Sequence, residues 1–490
     1  MFGLVDVAAP FWPQLGPASQ QSLRLAYGVL LLATLVRALP DARRYFLSER
    51  WGGYGTRGWA VDTIQNPIVL PFLYLLWLVA ANAIVFGVWP VVAAGVNVVI
   101  CHYFFVQMRW QGVLRGMGAP GFITYWLGAA LFLVSFTAQY APEASALALL
   151  VLQVDFAAIM LSAGLYKLSA GYRRGDGMEL GMVNPEWGHW SGFWAAVSPR
   201  NRVFQFFNEM AWGTEVVAAV LMLLPPTRFA GGFMMLASFV LIASQIRLGF
   251  LSAMVMACCL VFFSPGSLGE RALASVISAP PEIVATPAPA LVVTVLVAGL
   301  WLYLALLPLA RAGLSYNFHA KRPLPGAWQA ILEHYTNLFG MVLWRVFSAD
   351  ITNFFVRIYE QPRAGGDRRL LSSWGRARRY RQVAEAIAVT TLFTTRKYYP
   401  SNRALFVERL LRYARTVPHR GGQVLVFEYV TIVKRPTAFA YVPAAEFAVD
   451  VAAGTVQETT LVPGFDVQAP SAFSPIHEGA RPGSYVPLSH

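Results

Sequence analysis

Charge is what this chain has least of. Only 13% of its 490 residues are Asp, Glu, Lys or Arg, while 57% are hydrophobic and 14% aromatic, and mean hydropathy is +0.51. A soluble chain of this length exposes far more charge, so the composition excludes a water-soluble globular protein and predicts a polytopic membrane protein. Cysteine is equally scarce. Cys101, Cys258 and Cys259 all sit in apolar runs; none has metal-ligand spacing, and an adjacent pair rarely forms a disulfide. They read as small buried hydrophobes. A cleavable signal is not evident either, because MFGLVDVAAPFWPQLGPASQ has no basic segment ahead of its apolar residues. The first span is therefore expected to direct insertion.

Long apolar runs are abundant. A spanning helix needs about 20 mostly apolar residues. Nine segments qualify, at about 24–39, 66–87, 89–107, 121–139, 143–168, 204–224, 228–247, 249–265 and 288–311, with no internal repeat. Basic residues cluster in alternate connections. Arg43, Arg44, Arg50 and Arg57 lie in 40–65, Arg109 and Arg115 in 108–120, and Arg173, Arg174, Arg200 and Arg202 in 169–203; Arg247 lies in the turn after the seventh span. The intervening connections are nearly free of Lys and Arg. By the positive-inside rule the chain is integral to the cytoplasmic membrane, N-terminus outside and C-terminal region in the cytosol.

The net charge of +13 invites a nucleic-acid partner, but its distribution argues for none. Residues 361–420 hold 14 Lys or Arg against Asp367, Glu385 and Glu408. Beside a membrane such a run marks the inside and touches anionic lipid headgroups. The same region has structure of its own. WQAILEHYTNLFGMVLWRVFSADITNFFVRIYE begins with helical spacing and turns strand-like at ITNFFVRIYE. RALFVERLLRYARTV is an amphipathic helix, and QVLVFEYVTIVKR and EFAVDVAAGTVQETTLV alternate as strands do. The expected fold is thus an all-α membrane bundle of about nine transmembrane helices followed by a small α+β soluble domain. Its parts are an N-terminal segment (1–23), the bundle (24–312), a basic domain (313–470) and a disordered tail (471–490).

Ionisable groups inside spans are expensive and are functional candidates by default. His102 shares a helix face with Arg109, and Asp155 lies mid-span. Gln205, Asn208, Trp212 and Glu215 form a stripe at spacings of three and four. Lys167 ends the fifth span. Each has a bland alternative: His102 bonding a neighbouring helix, Asp155 and Glu215 neutralising arginines, Lys167 snorkelling to water. Together they exceed what packing requires, and a lysine kept from water becomes available as a base. Behind it, Glu179, Glu186, Trp187, His189 and Trp190 offer one wall of a site.

The segment AGLYKLSAGYRRGDGM (163–178) resembles, without a gap, the surroundings of the active-site lysine in vitamin K-dependent γ-carboxylases. The shared positions are Ala163, Gly164, Lys167, Leu168, Tyr172, Gly175 and Met178. Those enzymes belong to the horizontally transferred transmembrane (HTTM) family, which the first span, ERWGGYGTRGW and the arrangement of about nine spans also resemble, over roughly residues 20–310. A looser likeness to HTTM relatives and lipase maturation factors lies in EHYTNLFGMVLWRVFSADITNFFVRIYE. The chain departs from the carboxylases at Tyr166, where they carry a second lysine, at Ser169, an acid there, and at Tyr172, a tryptophan there. They also place the C-terminal domain on the side opposite to the one the charges give here. The resemblance implies a reduced naphthoquinone as cofactor, with Lys167 as catalytic base and His102 as its polar partner. Asp155, Asn208, Glu215, Tyr172 and Trp187 then line the cofactor cavity.

Two functions stay open on the residues alone. One is a membrane enzyme with a lipid-soluble, quinone-like cofactor, carboxylase-like in chemistry. The other is a non-catalytic membrane protein for maturation, assembly or transport, docking a peptide or protein partner through its basic domain. If Lys167 and His102 meet in one apolar cavity the first gains; if Lys167 faces headgroups the second does.

Overall fold

A computed structural model describes residues 12–108, 118–278, 285–320, 322–344, 349–371, 379–398 and 402–463. Arg109, Arg115 and the tail expected at 471–490 lie outside the described residues. The helices that matter here are α1 (Pro17–Ala38), α2 (Val69–Phe86), α3 (Pro90–Cys101), α4 (Gly118–Tyr140), α5 (Ser145–Ser169), α6 (Met178–Val183), α7 (Arg202–Leu223), α8 (Arg228–Gln245), α9 (Leu251–Cys258), α10 (Ala290–Ala320), α11 (Ala327–Phe339), α12 (Arg379–Tyr398) and α13 (Arg403–Thr416).

Among the described residues eight helices, those built on α1–α5, α7, α8 and α10, are long and apolar enough to cross a membrane. Their connections are tight because the sequence supplies breakers. Gly87 ends α2 with φ +69° and Pro90 opens α3, as helix stops and starts prefer. Trp89 between them has φ +44°, the one non-glycine residue of positive φ among the described residues. Small residues let the helices close on one another. A Cβ on Gly231 would meet the Ala218 carbonyl of α7 at 2.7 Å, so α7 and α8 touch along their backbones.

The eighth expected span is corrected. At 249–265 the chain forms only the 8-residue α9 and a 4-residue 3-10 turn, Cys259–Phe262, too short for a lipid-facing span. Almost every side chain in it is buried, so hydrocarbon never sets its length. It still returns the chain across the bundle. Arg37, near the end of α1, stacks on Phe250 at 5.3 Å, while Gly16, before α1, bonds the Phe263 carbonyl at 3.1 Å. α9 therefore runs antiparallel to α1, from one end of the bundle to the other.

The C-terminal region is a five-stranded antiparallel sheet, order β2-β1-β3-β4-β5. The strands are β1 (Phe354–Pro362), β2 (Arg369–Leu370), β3 (Gln423–Lys434), β4 (Phe439–Asp450) and β5 (Thr455–Thr460). The strand-like stretches and the amphipathic helix expected from the sequence are here, α13 being that helix. Alternation sorts the two faces. Phe354, Tyr429 and Phe447 pack against Phe393 of α12, whereas Phe355 and Tyr441 point the other way, towards the bundle.

The sheet sits at the end of the bundle that carries the basic connections. Arg44 pairs with Glu385, Arg412 and Arg415 with Glu49 at 3.3 and 3.1 Å, and one buried core runs from the bundle into the sheet. The basic run is also less bare than its composition. Arg363, Arg368, Arg369 and Arg396 pair with Asp450, Glu446, Glu360 and Glu458.

Candidate functional site

Lys167 lies in the last turn of α5, where a lysine normally extends to water. Here it is enclosed. Gly164, one turn earlier, lets α7 come close, since a Cβ there would sit 2.7 Å from Val216 and 2.9 Å from the Trp212 carbonyl. That approach brings Glu215 of α7 against Lys167, and Nζ pairs with Oε1, the two side chains 3% and 1% exposed. Glu215 Oε2 is buried without a hydrogen-bond partner among the described residues. The Tyr172 ring lies 6.0 Å from Nζ, and Arg173 covers Trp212 at 5.4 Å.

A roof closes over the pair. After α5 the chain folds back through Gly171 and Gly175, both left-handed at φ +102° and +85°, conformations that glycine adopts without strain. Asn208, two turns before Glu215 on the same face of α7, holds this roof. Its Oδ1 accepts from Met178 N–H at 2.6 Å and its Nδ2 donates to Glu179 Oε2 at 2.8 Å. Gly177 must be glycine, because a Cβ there would sit 2.7 Å from the Tyr172 ring. Glu179 in turn receives Lys434 Nζ at 2.9 Å from the end of β3, and Asp176 receives the same ammonium at 2.8 Å.

Of the residues singled out in the sequence, Lys167, Tyr172, Asn208 and Glu215 thus come together, with Glu179 joining them. His102 and Asp155 do not. His102 opens a π-helical turn, His102–Gln107, with Nε2 2.8 Å from the Leu338 carbonyl. It lines an open cavity of about 680 Å³ with Gln107, Ile331, His334, Tyr335 and Asn337. Asp155 accepts Trp126 Nε1 at 2.9 Å and pairs with Arg311 at 3.0 Å. Twelve residues of α5, about 18 Å along the axis, separate it from Lys167. The cavity that His102 lines does not include Lys167, and the Lys167 side chain is enclosed within the bundle.

The rest of the expected wall is spread out. Trp187 is buried and its carbonyl accepts Arg247 N–H at 2.6 Å. His189 N–H and Trp190 Nε1 bond carbonyls at the end of α8, those of Gln245 and Ser244. Glu186 reaches the sheet instead, accepting Val356 N–H at 3.1 Å. Burial pushes its carboxyl up to about 8, against the pull of that N–H. A raised acid keeps its proton in the folded chain after the unfolded chain has lost its own. Glu186 therefore lowers stability progressively as pH rises from about 4.5 to about 8. Glu186→Gln is expected to remove that slope and to leave the variant more stable than wild type at pH 9 by a few kcal/mol, each pKa unit being about 1.4 kcal/mol. Melting curves in detergent at pH 5, 7 and 9 check it; parallel pH profiles would count against a neutral Glu186.

Sequence reasoning missed Lys434. Nothing in the strand around it marks a partner 255 residues away. Compared with models of known protein families, with curated proteins and with solved structures, the chain matches none.

Proposed function

We propose that this chain is an integral membrane enzyme that moves a proton between a lipid-soluble hydroxyl compound and a buried Lys167–Glu215 pair. The observation that supports this is the unpartnered Oε2 of Glu215, held in burial beside an ammonium. A buried polar atom without a partner costs about 1–3 kcal/mol. A donor hydroxyl arriving there satisfies it. The sequence assigned the base to Lys167, but Nζ is already bonded, so the open acceptor is Glu215. As Oε2 takes the proton, Lys167 loses its counter-ion and becomes the cation that holds the new oxyanion. The site's net charge stays at zero throughout, which suits a medium where uncompensated charge is costly.

A reduced naphthoquinone, the cofactor the family resemblance implies, fits this donor set: a hydroxyl for Oε2, and an aromatic body for Tyr172 and Trp212. Bound, it supplies a hydroxyl acidic enough to ionise and an anion that reacts with oxygen. Glu215 and Lys167 bind and ionise that hydroxyl, and the roof from Tyr172 to Val183 excludes water. Pairing of Arg363, Arg368, Arg369 and Arg396 with acids of the sheet favours this reading over a basic docking domain.

The test is anaerobic binding of menadiol, a reduced naphthoquinone, to the full chain in nanodiscs, read as the absorbance of the bound hydroquinone anion. Glu215→Gln is expected to reduce anion formation by at least about 100-fold. Lys167→Arg, which keeps the cation, is expected to retain more of it than Lys167→Met. An unchanged anion signal in Glu215→Gln would sink the proposal.

The same proposal places the sheet in the cytosol, from the arginine distribution. Glu143→Cys should then react with a membrane-impermeant maleimide in intact cells, and Gly421→Cys only after lysis. Labelling of Gly421→Cys in intact cells would reverse the orientation.

A further inference from the structure

The roof over Lys167 is not held by the bundle alone. The β3–β4 hairpin of the C-terminal sheet reaches across at four places, two on the roof and two on the bundle beside it. Lys434 Nζ bonds the Gly175 carbonyl, Asp176 and Glu179. Tyr441 Oη donates to the Val183 carbonyl at 2.5 Å, Ser198 Oγ to the Pro436 carbonyl at 3.1 Å, and Phe439 packs edge-on to Phe204 at 5.7 Å. Of these, Lys434 does the electrostatic work. Its side chain is 31% exposed, but that of Glu179 is 1% exposed, and a carboxylate so buried needs a cation beside it. Partial burial works against the ammonium of Lys434, yet the charge of Glu179 and the bonds from Asp176 and Glu179 outweigh it, and its pKa lies above the ordinary lysine value.

The chain of contacts continues inward. Glu179 Oε2 accepts from Gly177 N–H at 3.2 Å and from Asn208 Nδ2 at 2.8 Å, and Asn208 Oδ1 accepts from Met178 N–H. Asn208 stands on the same face of α7 as Glu215. A charge on the sheet is thereby tied, through one buried carboxylate and one amide, to the helix face that carries the pair.

We propose that Lys434 is a positioning residue for the Lys167–Glu215 site: it supplies the charge that keeps Glu179 in place, and so couples seating of the C-terminal sheet to closure of the roof over Lys167. The site is complete only when the hairpin is docked. The sheet thus controls access of water and of the lipid-soluble substrate to a buried pair that lies wholly within the bundle. This inference rests on the proton-transfer reading for its functional meaning, but the closure itself is a structural claim that stands or falls without substrate.

Its test reads closure directly, on the full chain in nanodiscs. Acetylation of Lys167 by a soluble amine-reactive ester, followed by peptide mass spectrometry, is expected to be slow in wild type. Lys434→Ala should accelerate it about 10- to 100-fold, the range expected from losing one buried charge-assisted contact. Hydrogen exchange should rise in residues 171–183 and not in α8 or α12. Lys434→Arg should restore slow acetylation, and so should Lys434→Met combined with Glu179→Gln, which leaves no charge unpaired. That pair also answers the case in which Lys434→Ala fails to fold. Acetylation of Lys167 at the wild-type rate in Lys434→Ala overturns the proposal. So does exchange that rises through the whole sheet, or failure of both the Arg and the Met/Gln variants to restore protection. Because these readouts use no substrate, failure of the menadiol test leaves them intact, and their failure leaves the menadiol test intact.

Discussion

Replacing Lys167 with methionine is expected to destabilise the protein by about 3–5 kcal/mol, the cost of leaving a buried carboxylate without its cation. Glu215 cannot turn to another cation: its Oε1 holds Lys167, and its Oε2 has no partner among the described residues. The reverse substitution, Glu215→Leu, strands an ammonium in the same enclosure and should cost as much. Making both changes together removes both charges and leaves apolar groups of similar volume. The double variant is expected to recover most of the loss, so the single effects will be strongly non-additive. Denaturation in mixed detergent micelles, followed as a double-mutant cycle, gives the coupling. Singles that cost under about 1 kcal/mol, the value of an exposed pair, would show that water reaches the site. The double variant also separates folding from function, since it should fold and yet form no hydroquinone anion.

The helix faces were legible in the sequence because helical spacing is a local property. Asn208 and Glu215 are two turns apart, so any helix puts them on one stripe, and Lys167 stood out by interrupting an apolar run. What pairs with what was not legible. The partner of Lys167 depends on how closely α5 and α7 cross. That is decided by Gly164 meeting Val216 and Trp212, a contact between residues about fifty positions apart. His102 and Asp155 looked equivalent to Lys167 on hydropathy, since a scale records that an ionisable group lies in a span but not towards which helix it turns.

The short length of the eighth span was not legible for a related reason. The segment 249–265 is as apolar as its neighbours, but it is apolar because it packs against α1, α8 and Phe156, not because it meets lipid. The acids that pair with the basic run were not legible in the sequence. Its arginines look solvated until the acids of β1, β4 and β5 come alongside, and those lie as much as 87 residues away in the chain. α12 left no clear periodic signal, its apolar residues being diluted by threonines and by the arginines at its start.

The second large effect is expected at the other buried ion pair. Arg311→Met should cost about 3–5 kcal/mol and should loosen α10 more than any other helix. α10 is poorly enclosed, with only 17% of its most apolar window buried, and Pro308 removes a backbone hydrogen bond from its interior. What fastens it is Arg311, which pairs with Asp155 of α5 at 3.0 Å and donates to the Val342 carbonyl at 2.9 Å, just ahead of the sheet. Asp155 also keeps Trp126 Nε1 at 2.9 Å, so one carboxylate gathers α4, α5 and α10. Hydrogen exchange should rise in residues 300–344 of Arg311→Met, and thermal stability should fall. Adding Asp155→Leu should recover part of that loss, the remainder being the Val342 carbonyl and Trp126 Nε1, both left without their partners. The anion signal at Glu215 should then return to the wild-type level, because the two charged clusters share no residue. If the double variant folds but loses that signal, Asp155 belongs to the reactive site, and the division of these groups into a fastening pair and a proton-transfer pair is wrong.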